Sequence, residues 1–144
     1  MSIYKEFCSE ILDENGALKS LTLDYPEDFN FGYDVVDRLA ERFPDKRALV
    51  WCNLENEEHI FTFSDIKRES NRIANALSRC GIRRGDRVLM ILKRHYEYWF
   101  TAIALHKLGA VMIPATHMLT TDDLVYRLKA SGAKAAVVTT QNEL

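Results

Sequence analysis

Four histidines, His59, His95, His106 and His117, are the side chains best placed to move protons or bind metal near neutral pH. Their spacing is not that of metal ligands: no HExxH pair occurs. His59 reads as a strand residue and His106 as a helix surface or packing residue. His95 and His117 stand apart, because each follows an apolar run that reads as a buried strand. The C-terminal ends of parallel strands are where open α/β sheets hold ligands. Lys93-Arg94-His95 forms a small basic cluster at the same edge. It could meet a phosphate-bearing ligand or be a solvated loop, and the frequency of short basic runs on protein surfaces favours the loop. Asp122 and Asp123 could share acid–base work. Their place in the first turn of a helix, where negative charge complements the dipole, already accounts for them. Tyr96, Tyr98, Trp99 and Phe100 lack the basic surround of a base-stacking platform and read as core. Neither GxGxxG nor GxxxxGK followed by Ser or Thr is present, so no phosphate loop is offered. Read alone, these residues outline no complete catalytic centre.

The elements that would position them are clearer. Ile3, Phe7, Ile11 and Leu12 are spaced for a short amphipathic helix, followed by an aperiodic stretch over 25–29. Residues 1–31 thus read as an arm and 32–144 as an α/β unit. Val35, Val36, Leu39, Ala40 and Phe43 fall on one helical face, and Pro44 ends that helix. Segments 47–52 and 59–63 read as an antiparallel hairpin around a polar turn. Ser64 is the expected N-cap of the next helix, with Asp65 just inside. Ile66, Ile73, Ala74, Leu77 and Cys80 form its inner face. Val88 to Leu92 is an unbroken apolar run, the mark of a strand covered on both faces. The helix over 96–108 is apolar nearly all round and should be deeply buried. A short strand over 110–113 follows. Thr120 then caps a helix to about 131 with Asp123 in capping-box position, and 135–138 forms a last strand. Strand, helix, strand, helix, strand at this spacing predicts a doubly wound α/β fold with a mainly parallel sheet, a β-hairpin and an N-terminal helical arm.

Composition narrows the class further. The chain has 144 residues, 47% hydrophobic and 28% charged, with 19 basic and 21 acidic side chains and a net charge of −2. That balance suits a globular domain and gives no electrostatic reason to expect nucleic acid or an anionic membrane. No run approaches the ~20 apolar residues that span a bilayer. Cys8, Cys52 and Cys80 form no CxxC pair, and read as small buried hydrophobes in a reducing compartment. Met1 to Glu6 is acidic without a long apolar run, unlike a signal peptide, so a cytoplasmic location is expected.

The order of the segments resembles a family. Thr62-Phe63-Ser64-Asp65-Ile66, the helix with Asn71-Arg72-Ile73-Ala74-Asn75-Ala76-Leu77, and Gly81-Ile82-Arg83-Arg84-Gly85-Asp86-Arg87-Val88 look like the opening of adenylate-forming enzymes. Tyr98 to Ile103, Lys107-Leu108-Gly109-Ala110-Val111, Ile113-Pro114-Ala115-Thr116, Asp123 to Leu128 and Ala133-Lys134-Ala135 continue the likeness. Phe29-Asn30-Phe31-Gly32-Tyr33-Asp34-Val35 and Tyr126-Arg127-Leu128 are most similar to medium-chain acyl-CoA synthetases, with acetyl-CoA synthetases next. Each piece is weak alone, and the ordered set is hard to obtain otherwise.

The resemblance implies a two-step ligation. A carboxylic acid and Mg·ATP give an acyl-adenylate and pyrophosphate, and the CoA thiol then displaces AMP to give a thioester. It also implies that the phosphate loop, the acidic ATP motif and the catalytic lysine lie further along such enzymes. This chain is therefore expected to be an inactive N-terminal fragment, with ATP, Mg and CoA used by the whole enzyme and none bound here alone. Thr116, His117 and Met118 match a loop on the CoA side of the medium-chain enzymes. His117 and Met118 are the candidate contacts, with ordinary loop packing as the competing reading. No metal ligand and no catalytic residue is expected. An open sheet edge and an uncovered helix should favour self-association. The alternative is a stand-alone, non-catalytic α/β binding or interaction module.

Overall fold

A computed structural model describes residues 3–139. Its centre is β5 (Arg87–Ile91), which pairs in parallel with β6 (Val111–Pro114) on one side and β7 (Ala135–Val138) on the other. Val88, Leu89 and Met90 are completely buried. Alternation sends Val88 and Met90 to one face, where they pack with Ala102, Leu105 and Leu77. Leu89 and Ile91 point the other way and are buried as well, so the strand expected to be covered on both faces is. α3 (Glu97–Leu108) connects β5 to β6, and α4 (Thr121–Ser131) connects β6 to β7. The mixed α/β fold with a parallel sheet and a hairpin is thus present.

β3 (Arg47–Cys52) and β4 (Glu58–Thr62) form the expected antiparallel hairpin. Its Leu49 and Phe61 pack on Ile66 of α2 (Phe63–Arg79), on Phe100 of α3, and on Val36. Val36 lies in a π-helical turn, Phe31–Asp37, that runs directly into α1 (Arg38–Arg42).

Five expectations need correction. The N-terminal amphipathic helix is absent: after one 3-10 turn, Ile3–Glu6, the arm forms a ribbon of β1 (Cys8–Leu12) and β2 (Leu18–Leu23). The cause is the turn between them. Asp13 accepts from Asn15 and Ala17 through its carboxylate at 2.9 and 2.8 Å, and Gly16 takes a left-handed φ of 79°; an Asx-turn followed by glycine reverses the chain where a helix would have continued. The cap of α2 is Thr62, not Ser64. Thr62 Oγ1 accepts from Asp65 N at 3.2 Å while Asp65 Oδ2 accepts from Thr62 N at 2.9 Å, which places the box two residues earlier. Thr120 and Asp123 form the same box, as expected. The cysteines are not core: Cys52 and Cys80 are exposed and Cys8 is half-buried, because Cys52 and Cys80 end their elements where the packed face runs out. Trp99 and Phe43 are also exposed, although the rest of α3 is buried or half-buried, as its composition predicts.

The least expected feature is Lys107. It is 6% exposed, yet its ammonium is fully partnered. Nζ donates to Asp37 Oδ1 at 2.6 Å, Asn71 Oδ1 at 2.7 Å and Ser70 Oγ at 3.0 Å. It also lies 5.6 Å from the centre of the Tyr33 ring. Three helical segments therefore converge on one buried cation. Space for its stem comes from Gly32, where an added Cβ would meet Lys107 Cγ at 2.6 Å and the Ile103 carbonyl at 3.3 Å. Asn30 fixes that approach by accepting from Gly32 N at 2.9 Å and donating to the His106 carbonyl at 2.7 Å.

Removing one member of a buried pair leaves the other charge unsolvated, which costs about 3–5 kcal/mol. Lys107→Met is expected to lose that much in urea unfolding, and adding Asp37→Asn should recover part of it. Asp65 supplies a pH-dependent increment. Hydrogen bonding from the Thr62 backbone, and then from its hydroxyl, holds its carboxyl below the ordinary 3.8. Its contribution is thus complete above that value and lost as pH falls through the lower folded value. Asp65→Ala is expected to cost about 1 kcal/mol at neutral pH, with the gap to the unsubstituted protein closing below pH 3.8 in acid titrations of stability.

Candidate functional site

The C-terminal edge of the parallel sheet is the place to look, because strand ends there release loops while the strands stay rigid. Two loops leave it. One follows β5 and carries Lys93, Arg94 and His95; the other follows β6 and carries Thr116, His117 and Met118. They start side by side, since Ala115 N donates to the Met90 carbonyl at 2.9 Å.

The first loop is held by the hairpin. Trp51 Nε1 donates to the Arg94 carbonyl at 2.5 Å. Trp51 also sits edge-on to Tyr96, with ring centres 5.4 Å apart, and Tyr96 continues into Phe61 at 5.0 Å. Arg94 adopts a left-handed φ of 47°, a conformation that costs a side-chain-bearing residue energy and persists only where its surroundings impose it. A cleft of about 700 Å³ lies between hairpin and loop, with Trp51, Asn53, Glu57, Lys93, Arg94 and His95 among its walls.

Its electrostatics argue against an anion site. Glu55, Glu57 and Glu97 line it together with Lys93 and Arg94, so the sign is mixed. Asn53 Nδ2 already donates to Glu57 at 2.6 Å. His95 Nδ1 is 3.8 Å from a Glu97 oxygen, a distance for attraction only when the imidazole is protonated. The Glu97 carboxylate, with burial behind it, pushes the Tyr96 phenol up. Lys93-Arg94-His95 therefore behaves as the loop that its composition suggested.

His117 and Met118 lie together on the second loop, both exposed, Met118 to 77%. Met118 N donates to Thr116 Oγ1 at 3.3 Å, which turns the loop. Neither residue lines the cleft beside Trp51. They present an imidazole and a thioether outward, groups able to contact a ligand without altering it.

The remaining histidines have structural places. His59 is an exposed strand residue beside Trp51. His106 packs edge-on against Phe31, and burial lowers its pKa, so it is neutral at pH 7. Asp123 is held below its ordinary carboxylate range by the Thr120 hydroxyl and backbone, as a cap rather than an acid. Among the described residues no group of three or more His, Cys, Asp or Glu is arranged to hold a metal ion. What sequence reasoning missed was the Trp51 contact, whose partner lies 43 positions away.

A parallel sheet with a ligand-ready edge, an N-terminal hairpin and no phosphate loop of its own describes part of a larger adenylate-binding fold. The sequence model of the AMP-binding enzyme family matches residues 36–144, and the chain belongs to that family. It is similar to the mitochondrial acyl-coenzyme A synthetase ACSM4 of Rattus norvegicus, 39% identical over 132 residues, which are 88% of this chain and 23% of the relative. The mitochondrial acyl-coenzyme A synthetase ACSM5 of Homo sapiens is 40% identical over 118 residues, 78% of this chain and 20% of that protein. Among solved structures, a fatty acyl CoA synthetase of Mycobacterium tuberculosis superposes with a TM-score of 0.69 at 27% identity, covering 76% of this chain and 21% of that one. The N-terminal subdomain of Klebsiella oxytoca NpsA gives 0.65 at 27% identity, covering 73% of this chain and 26% of that one. The chain therefore spans less than a quarter of the curated relatives it matches.

These relatives overturn the cytoplasmic expectation, since both are mitochondrial proteins. Net charge and cysteine spacing do not separate cytosol from mitochondrion.

Two substitutions test how the first loop is held. Trp51→Phe keeps a ring against Tyr96 but removes the donor to Arg94, and is expected to cost about 1 kcal/mol in chemical denaturation. Arg94→Gly is expected to keep or raise stability by up to ~1 kcal/mol, because glycine takes the left-handed conformation without strain.

Proposed function

We propose that this chain is the N-terminal part of an acyl-CoA synthetase, an acid–thiol ligase that joins a carboxylic acid to CoA with ATP and Mg. The match to acyl-coenzyme A synthetases over 88% of the chain carries this reading. No observation favours the competing reading of a stand-alone binding module.

Within that enzyme the chain's residues position rather than react. β5 and β6 hold two loops at a common edge, and the Lys107 node fixes the helices behind them. The loop with His117 and Met118 contributes to the CoA side, offering an imidazole and a thioether to the incoming thiol's carrier. The phosphates of ATP and the metal are held by residues other than these. Residues 1–31 form the arm, and 32–144 belong to the α/β subdomain of the AMP-binding domain.

A chimera tests the proposal. The rat relative with its matching 132 residues replaced by this chain is expected to fold and to form thioester. His117→Ala with Met118→Ala in that chimera should raise the KM for CoA by about tenfold, while carboxylate-dependent pyrophosphate exchange, which needs no CoA, stays unchanged. A folded chimera without thioester formation would remove the enzyme assignment. An unchanged KM would remove the two residues from the CoA side and leave the enzyme assignment standing.

A further inference from the structure

The ribbon β1–β2 presents a leucine-rich face, which Tyr4 meets at Cys8 and Glu10 and whose four leucines stay half-exposed. Its register sets Cys8 opposite Leu23 and Glu10 opposite Leu21, and an irregularity at Ile11/Leu12 then brings Leu18 opposite Leu12, so these six side chains share one face. Ser9, Ile11, Ser20 and Thr22 take the other. Leu12, Leu18, Leu21 and Leu23 are 55%, 59%, 50% and 63% exposed. The ribbon is tied to the body elsewhere: Glu6 bridges Arg38, at 2.6 Å, and Arg42, and Phe7 meets Phe29 edge-on at 4.9 Å. Those contacts leave the leucines untouched. A two-stranded ribbon is marginal in water unless a face is packed.

We propose that the leucine face of this ribbon is the surface through which two copies of this chain associate about a twofold axis. Size supports a second copy. Four half-exposed leucines offer on the order of 400 Å² of apolar surface, a patch of the size that marks interaction sites on soluble monomers. Specific interfaces are a little over half apolar, so pairing two such faces corresponds to roughly 1,400 Å² in all, within the standard class. The one charge on this face, Glu10, already accepts from the Tyr4 hydroxyl at 3.2 Å, so a twofold contact made by the leucines sets no row of like charge against itself. The face also lies outside residues 36–144 matched by the family model. This differs from association through the open sheet edge, whose outermost strands are β6 and β7.

Sedimentation equilibrium on the chain, with Leu21→Glu and Val138→Lys, separates the two surfaces. Val138 is exposed on the β7 edge. The unsubstituted chain is expected to show a monomer–dimer equilibrium at micromolar concentration. Leu21→Glu should weaken it by about tenfold or more, with far-UV circular dichroism and melting retained, and Val138→Lys should leave it unchanged. If Leu21→Glu fails to fold, Leu18→Glu serves in its place. As an independent readout, Cys8 on the same face should react with maleimide more slowly as protein concentration rises. A strict monomer at about 100 µM would overturn the proposal, as would an unchanged dimer in the leucine variant. Dissociation caused only by Val138→Lys would assign the interface to the sheet edge instead. Slow Cys8 reaction at every concentration would mean that a segment of the same polypeptide covers the face.

Discussion

One buried cation sets the terms for this structure. Lys107 lies at the end of α3, and its ammonium needs three acceptors in a place water does not reach. Asp37, Ser70 and Asn71 supply them from two other helical segments. Burying a charge is tolerable only when its hydrogen bonds are complete, so the angles of those segments to α3 cannot drift independently. The hydrophobic clusters on either side are less demanding. Leucine and isoleucine side chains accept modest shifts, whereas an ammonium that loses an acceptor has no substitute. The node thus fixes a geometry that the apolar core by itself would leave looser.

That geometry passes to the sheet through α3. The helix packs on Val88 and Met90 with Ala102 and Leu105, five and two residues before the lysine. Its other end begins at Tyr96, inside the aromatic group that also holds Trp51 and Phe61. One helix therefore connects the buried charge, the central strand and the loop after that strand. The β6 loop is placed by the same strand through the Ala115 amide. Rigid support behind mobile-looking loops is what allows a ligand-facing edge to be built from short segments.

Much of this was legible beforehand, and the failures have a common cause. Periodicity located β5, α3, β6, α4 and β7 because those elements bury continuous apolar surface, and burial is what periodicity records. The Thr120–Asp123 box was visible because its two residues are local partners. The Thr62–Asp65 box has the same spacing, but the strand residue Thr62 concealed the cap and Ser64 took its place. The N-terminal ribbon was misread because Ile3, Phe7, Ile11 and Leu12 match a helical period while the Asp13 to Gly16 turn, only a few residues long, decides the outcome. Lys107 and Trp51 were not legible at all. Their partners lie 70 and 43 positions away in sequence, and no local pattern records a contact of that range. The candidate site fares in the same way: the sheet edge follows from strand order, whereas the mixed charge beside Lys93 and Arg94 depends on a hairpin turn that arrives from elsewhere.

The family resemblance holds, and the structure supplies the reason. The motif pieces that carried it are packing contacts. Asp86, from the Gly-Asp step, accepts from Arg83 N at 2.7 Å and from Lys134 Nζ at 2.6 Å, joining two pieces that are 48 residues apart. Gly32 and Asn30, from the Phe-Asn-Phe-Gly piece, make room for Lys107 and cap the turn before it. Asn71, from the helix piece, accepts from the same lysine. Gly85 N donates to the Gly109 carbonyl at 2.9 Å, binding the Gly-Asp step to the Lys-Leu-Gly step. Residues in such contacts are constrained by one another, so several must be kept together for the fold to close. An ordered set of individually weak matches is therefore the form in which this architecture is written, and it identifies the family through packing alone.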